Sequence, residues 1–143
     1  MCHRILNISE STSLALHAAR TVVRSATPLS AEAIAIEMDI SRHHLSKVLR
    51  KMVEADVISV HKGPNGGFFF TEEQKKRPLI DVYTASGNHF SECAECMFEK
   101  SRCEKKDCLF GNLLKKVNTE FISYFSKTKI SDLTSKQNKS NKR

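Results

Sequence analysis

The chain has 143 residues, 40% of them hydrophobic and 27% charged, which bounds it to one domain or a small domain with an attached helical arm. Lys and Arg exceed Asp and Glu by 23 − 16 = 7, an excess that favours a polyanionic partner. No apolar run approaches the roughly 18 residues of a membrane span. Residues 1–7 lack the apolar core and small-residue cleavage site of a secretory signal, so a cytoplasmic protein without a membrane partner is expected.

In chain order, the periodicity predicts a first helix over 10–24. Ala15, Ala18, Ala19, Val22 and Val23 recur at helical spacing, and Glu10, Ser13, His17 and Arg24 share the opposite, polar stripe. Pro28 closes a linker. Ser30 is placed to cap a short helix over 31–38, with Glu32 near its positive N-terminal end and Ile34 supplying apolar contact. Ser41 is placed to cap a third helix, 42–55, in which Leu45, Val48, Leu49, Met52 and Val53 follow the i, i+3, i+4, i+7, i+8 pattern of a core-facing stripe.

Val57-Ile58-Ser59-Val60 and Phe68-Phe69-Phe70-Thr71 are β-favouring runs. Between them lies Lys62-Gly63-Pro64-Asn65-Gly66-Gly67, which holds three of the chain's five glycines. Two short strands around a glycine-rich tip predict a hairpin. A short helix over 78–86 follows, with proline in its first turn and Gly87 as its stop. From residue 110 the chain is expected to be helical again, with Leu113, Leu114, Val117, Phe121, Tyr124 and Phe125 on one stripe, and 130–133 to form a last turn. Residues 134–143 contain neither acids nor apolar side chains and predict a disordered basic tail.

Helix, helix, helix, hairpin is the order of a winged helix-turn-helix. The fold class expected is mainly α: a winged helix-turn-helix with a two-stranded β wing and a long C-terminal dimerisation helix. Its parts are a DNA-binding domain (8–87), a cysteine-rich loop (88–109), a dimerisation helix with its terminal turn (110–133) and the tail (134–143). A recognition helix buries one face and offers polar side chains to DNA on the other. From Ser41 to Lys51 there is no acidic residue. Ser41 begins this DNA-binding segment; Arg42, His43, Ser46 and Lys47 lie where base edges are read, and Arg50, Lys51, Lys62, Gly66 and Gly67 are better placed for phosphates. A solvated basic face is the other reading of this helix alone; the adjoining wing favours double-stranded DNA.

Four of the five cysteines fall in one window, Cys93, Cys96, Cys103 and Cys108, spaced C-x2-C-x6-C-x4-C. In a reducing compartment such crowding points to metal or redox chemistry rather than structural disulfides. Iron–sulfur clusters take soft thiolates on a loop, a zinc site would use all four cysteines, and a metal-free thiol switch would be aided by Arg102, Lys105 and Lys106. No nucleophile with its base and no Walker pattern is recognisable, so an enzyme is not expected.

Four blocks carry a family resemblance: Leu14-Ala15-Leu16-His17-Ala18-Ala19, Leu29-Ser30-Ala31-Glu32-Ala33-Ile34-Ala35, Leu45-Ser46-Lys47-Val48-Leu49-Arg50-Lys51-Met52 and, most specific, Lys62-Gly63-Pro64-Asn65-Gly66-Gly67-Phe68. With Leu79-Ile80-Asp81-Val82-Tyr83, the cysteine loop and Ser131-Asp132-Leu133, the chain over about 8–133 resembles the Rrf-two family of bacterial winged-helix regulators, including its IscR- and NsrR-like iron–sulfur members. The resemblance implies a homodimeric transcriptional repressor on an inverted-repeat operator. It also implies a 2Fe–2S or 4Fe–4S cluster that senses nitric oxide, redox state or iron–sulfur status.

Cys96, Cys103 and Cys108 match the span of the family's three cluster cysteines, with the middle one displaced by about one residue and Cys93 additional. Some members place a histidine just after the last cysteine, where this chain reads Leu109-Phe110-Gly111. Others place an acid on the first helix, where Ser13 stands between Glu10 and His17. His17 matches the histidine ligand of some two-iron relatives, which makes it the preferred non-cysteine candidate, with Glu10 the other.

Overall fold

The computed structural model describes residues 8–88 and 109–135. Cys93, Cys96, Cys103 and Cys108, and the tail from 136 onward, lie outside the described residues. Helix α1 (Glu10–Arg24) is capped by Ser9, whose hydroxyl accepts the Thr12 amide. Its alanines 15, 18 and 19 are wholly buried, which brings α1 into close contact with every helix packed on it. Those neighbours are α2 (Ala31–Met38), α3 (Arg42–Glu54), α5 (Leu79–Ala85) and a terminal 3-10 turn, Ile130–Thr134.

Helix α2 starts at Ser30, which accepts the Ala33 amide at 3.1 Å, and ends at Asp39 in the left-handed region, φ 52°. Helix α3 buries Leu45, Val48, Leu49 and Met52, four of the five stripe residues its periodicity predicts, and the fifth, Val53, packs half-buried against the same core. Ser41 has the extended backbone of a cap residue, but its side chain makes no capping hydrogen bond.

Strands β1 (Ser59–His61) and β2 (Gly67–Phe69) pair antiparallel, with Val60 opposite Phe68. Pairing begins two residues later than the apolar run suggests, because Val57 and Ile58 turn into the core and donate their amides to the Met52 carbonyl. The linker before α2 adds a rung to the wing: Leu29 and Phe68 exchange amide-to-carbonyl bonds of 3.0 and 2.7 Å. Gly67 makes that approach possible. It holds φ 149°, and a Cβ there would lie 2.5 Å from the Leu29 carbonyl carbon. Gly67→Ala is therefore expected to cost about 1–3 kcal/mol, the scale of a strained backbone or an overpacked contact, and to detach the wing from the linker. Denaturant unfolding and amide exchange at Phe68 would check this; unchanged protection there would refute it.

A helix not expected from periodicity, α4 (Glu72–Lys75), follows the wing. Thr71 and Gln74 form a reciprocal capping box. The buried Gln74 amide also donates to the Asp56 carbonyl, which accepts the Arg77 guanidinium at 2.6 Å, and Gln74 accepts the Ser59 hydroxyl. These bonds brace the left-handed turn at Asp56 (φ 55°) that leads from α3 into the wing.

Pro78 stands at the N-cap of α5, and Gly87 follows the helix with φ 98°, the left-handed stop expected of a glycine there. Helix α6 (Leu113–Lys127) begins three residues later than expected, after a turn over 109–112. Its end is stitched to the start of α5, with the Leu79 amide donating to Thr128 and the Ile130 amide to Arg77. Phe121 and Phe125 stack at 4.5 Å, and Tyr83 meets both edge-on. Thr134, assigned to the tail from sequence, closes the 3-10 turn.

Candidate nucleic-acid interface

Opposite its core stripe, α3 exposes Arg42, His43, Lys47, Arg50 and Lys51, with Ser46 half-buried. All the residues singled out on this helix share one solvent-facing surface, but their cations are not equivalent. Arg42 Nη1 lies 3.3 Å from Glu32 Oε2 at the start of α2. Arg50 Nε lies 2.9 Å from Glu54 one turn along the same helix. A Cβ on Gly87 would stand 3.5 Å from Lys51 Nζ. The Lys51 ammonium thus reaches the C-terminal end of α5, where a helix dipole favours a cation. Among the described residues Lys47 has no ion-pair partner.

In the wing, Lys62, Pro64 and Asn65 are exposed, whereas Gly66 is half-buried and Gly67 buried. A Cβ on Gly66 would be 2.2 Å from the His61 carbonyl oxygen, so both glycines shape the backbone that presents Lys62. His61, not singled out from sequence, stacks on Phe69 at 4.3 Å.

The start of α1 joins two parts of the chain far apart in sequence. Thr12 is wholly buried, and its hydroxyl bonds Ser86 at 2.9 Å, while Ser86 donates to the Tyr83 carbonyl. Asn88 Nδ2 donates to both Thr12 and Ser9. Residue 88 is the last described before the cysteine loop, so the root of that loop is hydrogen-bonded to the first turn of α1. On that turn Glu10 lies 3.7 Å from His44 Nδ1 of α3. His17 faces a groove shared with Arg20, Arg24 and Glu37. Among the described residues Glu10 and His17 are not gathered with a third ligating side chain, and no helix is long and apolar enough to cross a membrane.

Three helices packed on the apolar face of α1, an exposed basic helix and a β wing define a winged-helix fold. The family model described as "Rrf2: Iron-dependent Transcriptional regulator" matches residues 8–136, and this chain belongs to the Rrf2 family of transcriptional regulators. It is 38% identical over 81 residues to a Rhodopseudomonas palustris protein named as an HTH-type transcriptional regulator, BadM. That match covers 54% of this chain and 52% of BadM, so the chain spans about half the length of the curated relative it matches.

Among solved structures, CymR, the global cysteine regulator of B. subtilis, superposes with TM-score 0.72 at 17% identity, over 90% of this chain and 96% of its own. T. potens IscR does so with TM-score 0.64 at 14% identity, over 90% of this chain and 85% of its own. At these identities the likeness establishes the winged-helix fold and nothing finer. The family is one of transcriptional regulators rather than enzymes.

Proposed function

We propose that this chain is a homodimeric repressor whose loop cysteines, Cys93, Cys96, Cys103 and Cys108, hold an iron–sulfur cluster that reports nitric oxide, redox state or iron–sulfur status to DNA. Residues 8–87 form the reading head, 88–109 the sensing loop and 110–133 the dimer arm. The observation that carries the reading is the joint at α1. Asn88, at the loop root, bonds the same helical turn whose Glu10 meets His44 of α3. A chemical change in the loop therefore has a short path to the DNA-facing helix.

Four thiol donors in one loop suit a soft iron centre. Of the two non-cysteine candidates, Glu10 shares the first turn of α1 with Thr12, which bonds Asn88, and His17 lies further along the same helix. When bound, the cluster supplies a centre that reacts with nitric oxide and oxidants; Thr12, Ser86 and Asn88 hold the loop root on α1. Zinc held by all four cysteines is the competing reading, favoured by a fourth thiol where the family pattern uses three. Anaerobic purification with iron, zinc, sulfide and absorbance analysis decides: a brown protein with inorganic sulfide supports the cluster, and a colourless zinc protein overturns it.

On DNA, Lys62→Ala is expected to weaken binding to every duplex. The slope of log affinity against log salt should flatten by about 0.9 for each phosphate that is no longer neutralised. His43→Ala and Ser46→Ala are expected to relax preference at particular base pairs by about 1–3 kcal/mol each. Anisotropy titrations across salt concentrations check both. Salt-independent binding, or none to any duplex, would overturn the DNA-facing assignment of this surface.

A further inference from the structure

We propose that Glu32 is a positioning residue for base recognition, holding the Arg42 guanidinium so that its free edge is presented to DNA. The proposal rests on the reading of α3 as the DNA-facing helix. Glu32 lies in the first turn of α2 and Arg42 opens α3, and their 3.3 Å pair spans the helix-turn-helix itself. The carboxylate engages Nη1, which leaves Nε and Nη2, a complete two-donor edge, for a bidentate partner such as guanine O6 and N7. Both side chains remain 67% and 57% exposed, so this edge is open to a duplex.

The neighbouring pair has an ordinary explanation. Glu54 lies four residues after Arg50 on the same helix, the spacing at which ion pairs stabilise helices generally. Glu32 and Arg42 share no helix, and an exposed pair contributes little to stability. What it supplies is orientation: a long, rotamer-rich arginine is fixed before binding, which lowers the entropy lost on docking. The carboxylate also repels phosphates, so it disfavours duplexes on which Arg42 finds no base partner.

Glu32→Gln and Glu54→Gln make the same charge change beside the same surface, and the comparison between them is the test. The probes are a duplex enriched by the wild-type protein from a randomised pool, its single-base-pair variants, and poly(dI–dC). Glu54→Gln is expected to tighten binding to all of them by a similar factor. Glu32→Gln is expected to tighten poly(dI–dC) binding likewise but to lower discrimination at one base pair per half-site by about fivefold, within the range one bidentate contact supplies. Arg42→Ala should lose discrimination at that same base pair, and adding Glu32→Gln to it should change nothing further there. If Glu32→Gln matches Glu54→Gln on every duplex, the positioning role is overturned while α3 remains the DNA-facing helix. If the wild type enriches no duplex, that underlying assignment falls and the proposal with it.

Discussion

Leu113→Asp combined with Val117→Asp is expected to convert the protein to monomers and to weaken binding to a two-half-site duplex by about a hundredfold or more. This is the range lost when a second head no longer benefits from effective concentration. The arm divides its apolar residues between two directions. Leu114 and Phe125 are buried, and Phe125 packs on Tyr83 and Phe121 within the protomer. Leu113 is 54% exposed and Leu109 90% exposed, Phe110 and Tyr124 are exposed as well, and Val117 is half-buried.

An outward apolar seam of this kind is uncommon on a small monomer and is covered in an oligomer. Asp at 113 also falls at the first residue of α6, whose N-cap Asn112 makes no side-chain capping bond. A carboxylate there favours the helix dipole, so loss of association is separable from loss of fold. Sedimentation at tens of micromolar, with circular dichroism as the folding control, reads the outcome. A wild-type monomer, or a folded variant that still dimerises, would refute the arm as the dimer interface.

Local signals in the sequence carry α1, α3 and the wing, because each announces itself within a few residues. The periodic stripe from Leu45 to Met52 faces the core as predicted, and Gly87 stops α5 in the left-handed region. Helix α4 is legible in Thr71-Glu72-Glu73-Gln74, a capping-box pattern, but four helical residues leave no periodicity to notice. The arm's stripe is a different case. Which of its side chains turn inward depends on Tyr83, which belongs to another helix.

The same limit applies to the site. Spacing places Arg42, Arg50 and Lys51 on one basic surface, but their partners, Glu32, Glu54 and the end of α5, depend on how helices pack. Thr12 is, by pattern, an ordinary polar residue on a helix; its bond to Ser86 joins positions 74 residues apart. No local pattern reports such a pairing, yet it ties the end of α5 to the first turn of α1.

Cys103→Ala and Cys108→Ala are each expected to give a protein without iron or sulfide, because a cluster requires several thiolates at once. Cys93→Ala and Cys96→Ala are expected to leave partial or altered occupancy, since each stands close enough in sequence to substitute for the other. DNA affinity should then differ between cluster-loaded wild type and the Cys103 variant by at least tenfold, or about 1.4 kcal/mol.

The joint at α1 suggests how such a difference is transmitted. The loop root is held by Asn88 and Ser86 on Thr12, α1 reaches α3 through Glu10 and His44, and Lys51 of α3 reaches the end of α5 beside the same root. Thr12→Val keeps the side chain's volume and removes its hydroxyl, while Ser86 retains the Tyr83 carbonyl as an acceptor. The hydroxyl bonds Ser86, Asn88 and Ser9, so the stability lost should be about 2–3 kcal/mol, each bond having a net worth of about 1 kcal/mol. The variant is expected to take up iron and sulfide normally and yet to show a smaller affinity difference between its loaded and cluster-free forms. If Thr12→Val preserves the full difference, transmission does not run through α1. If the wild type binds its enriched duplex equally with and without the cluster, the metal is structural and the sensing role falls.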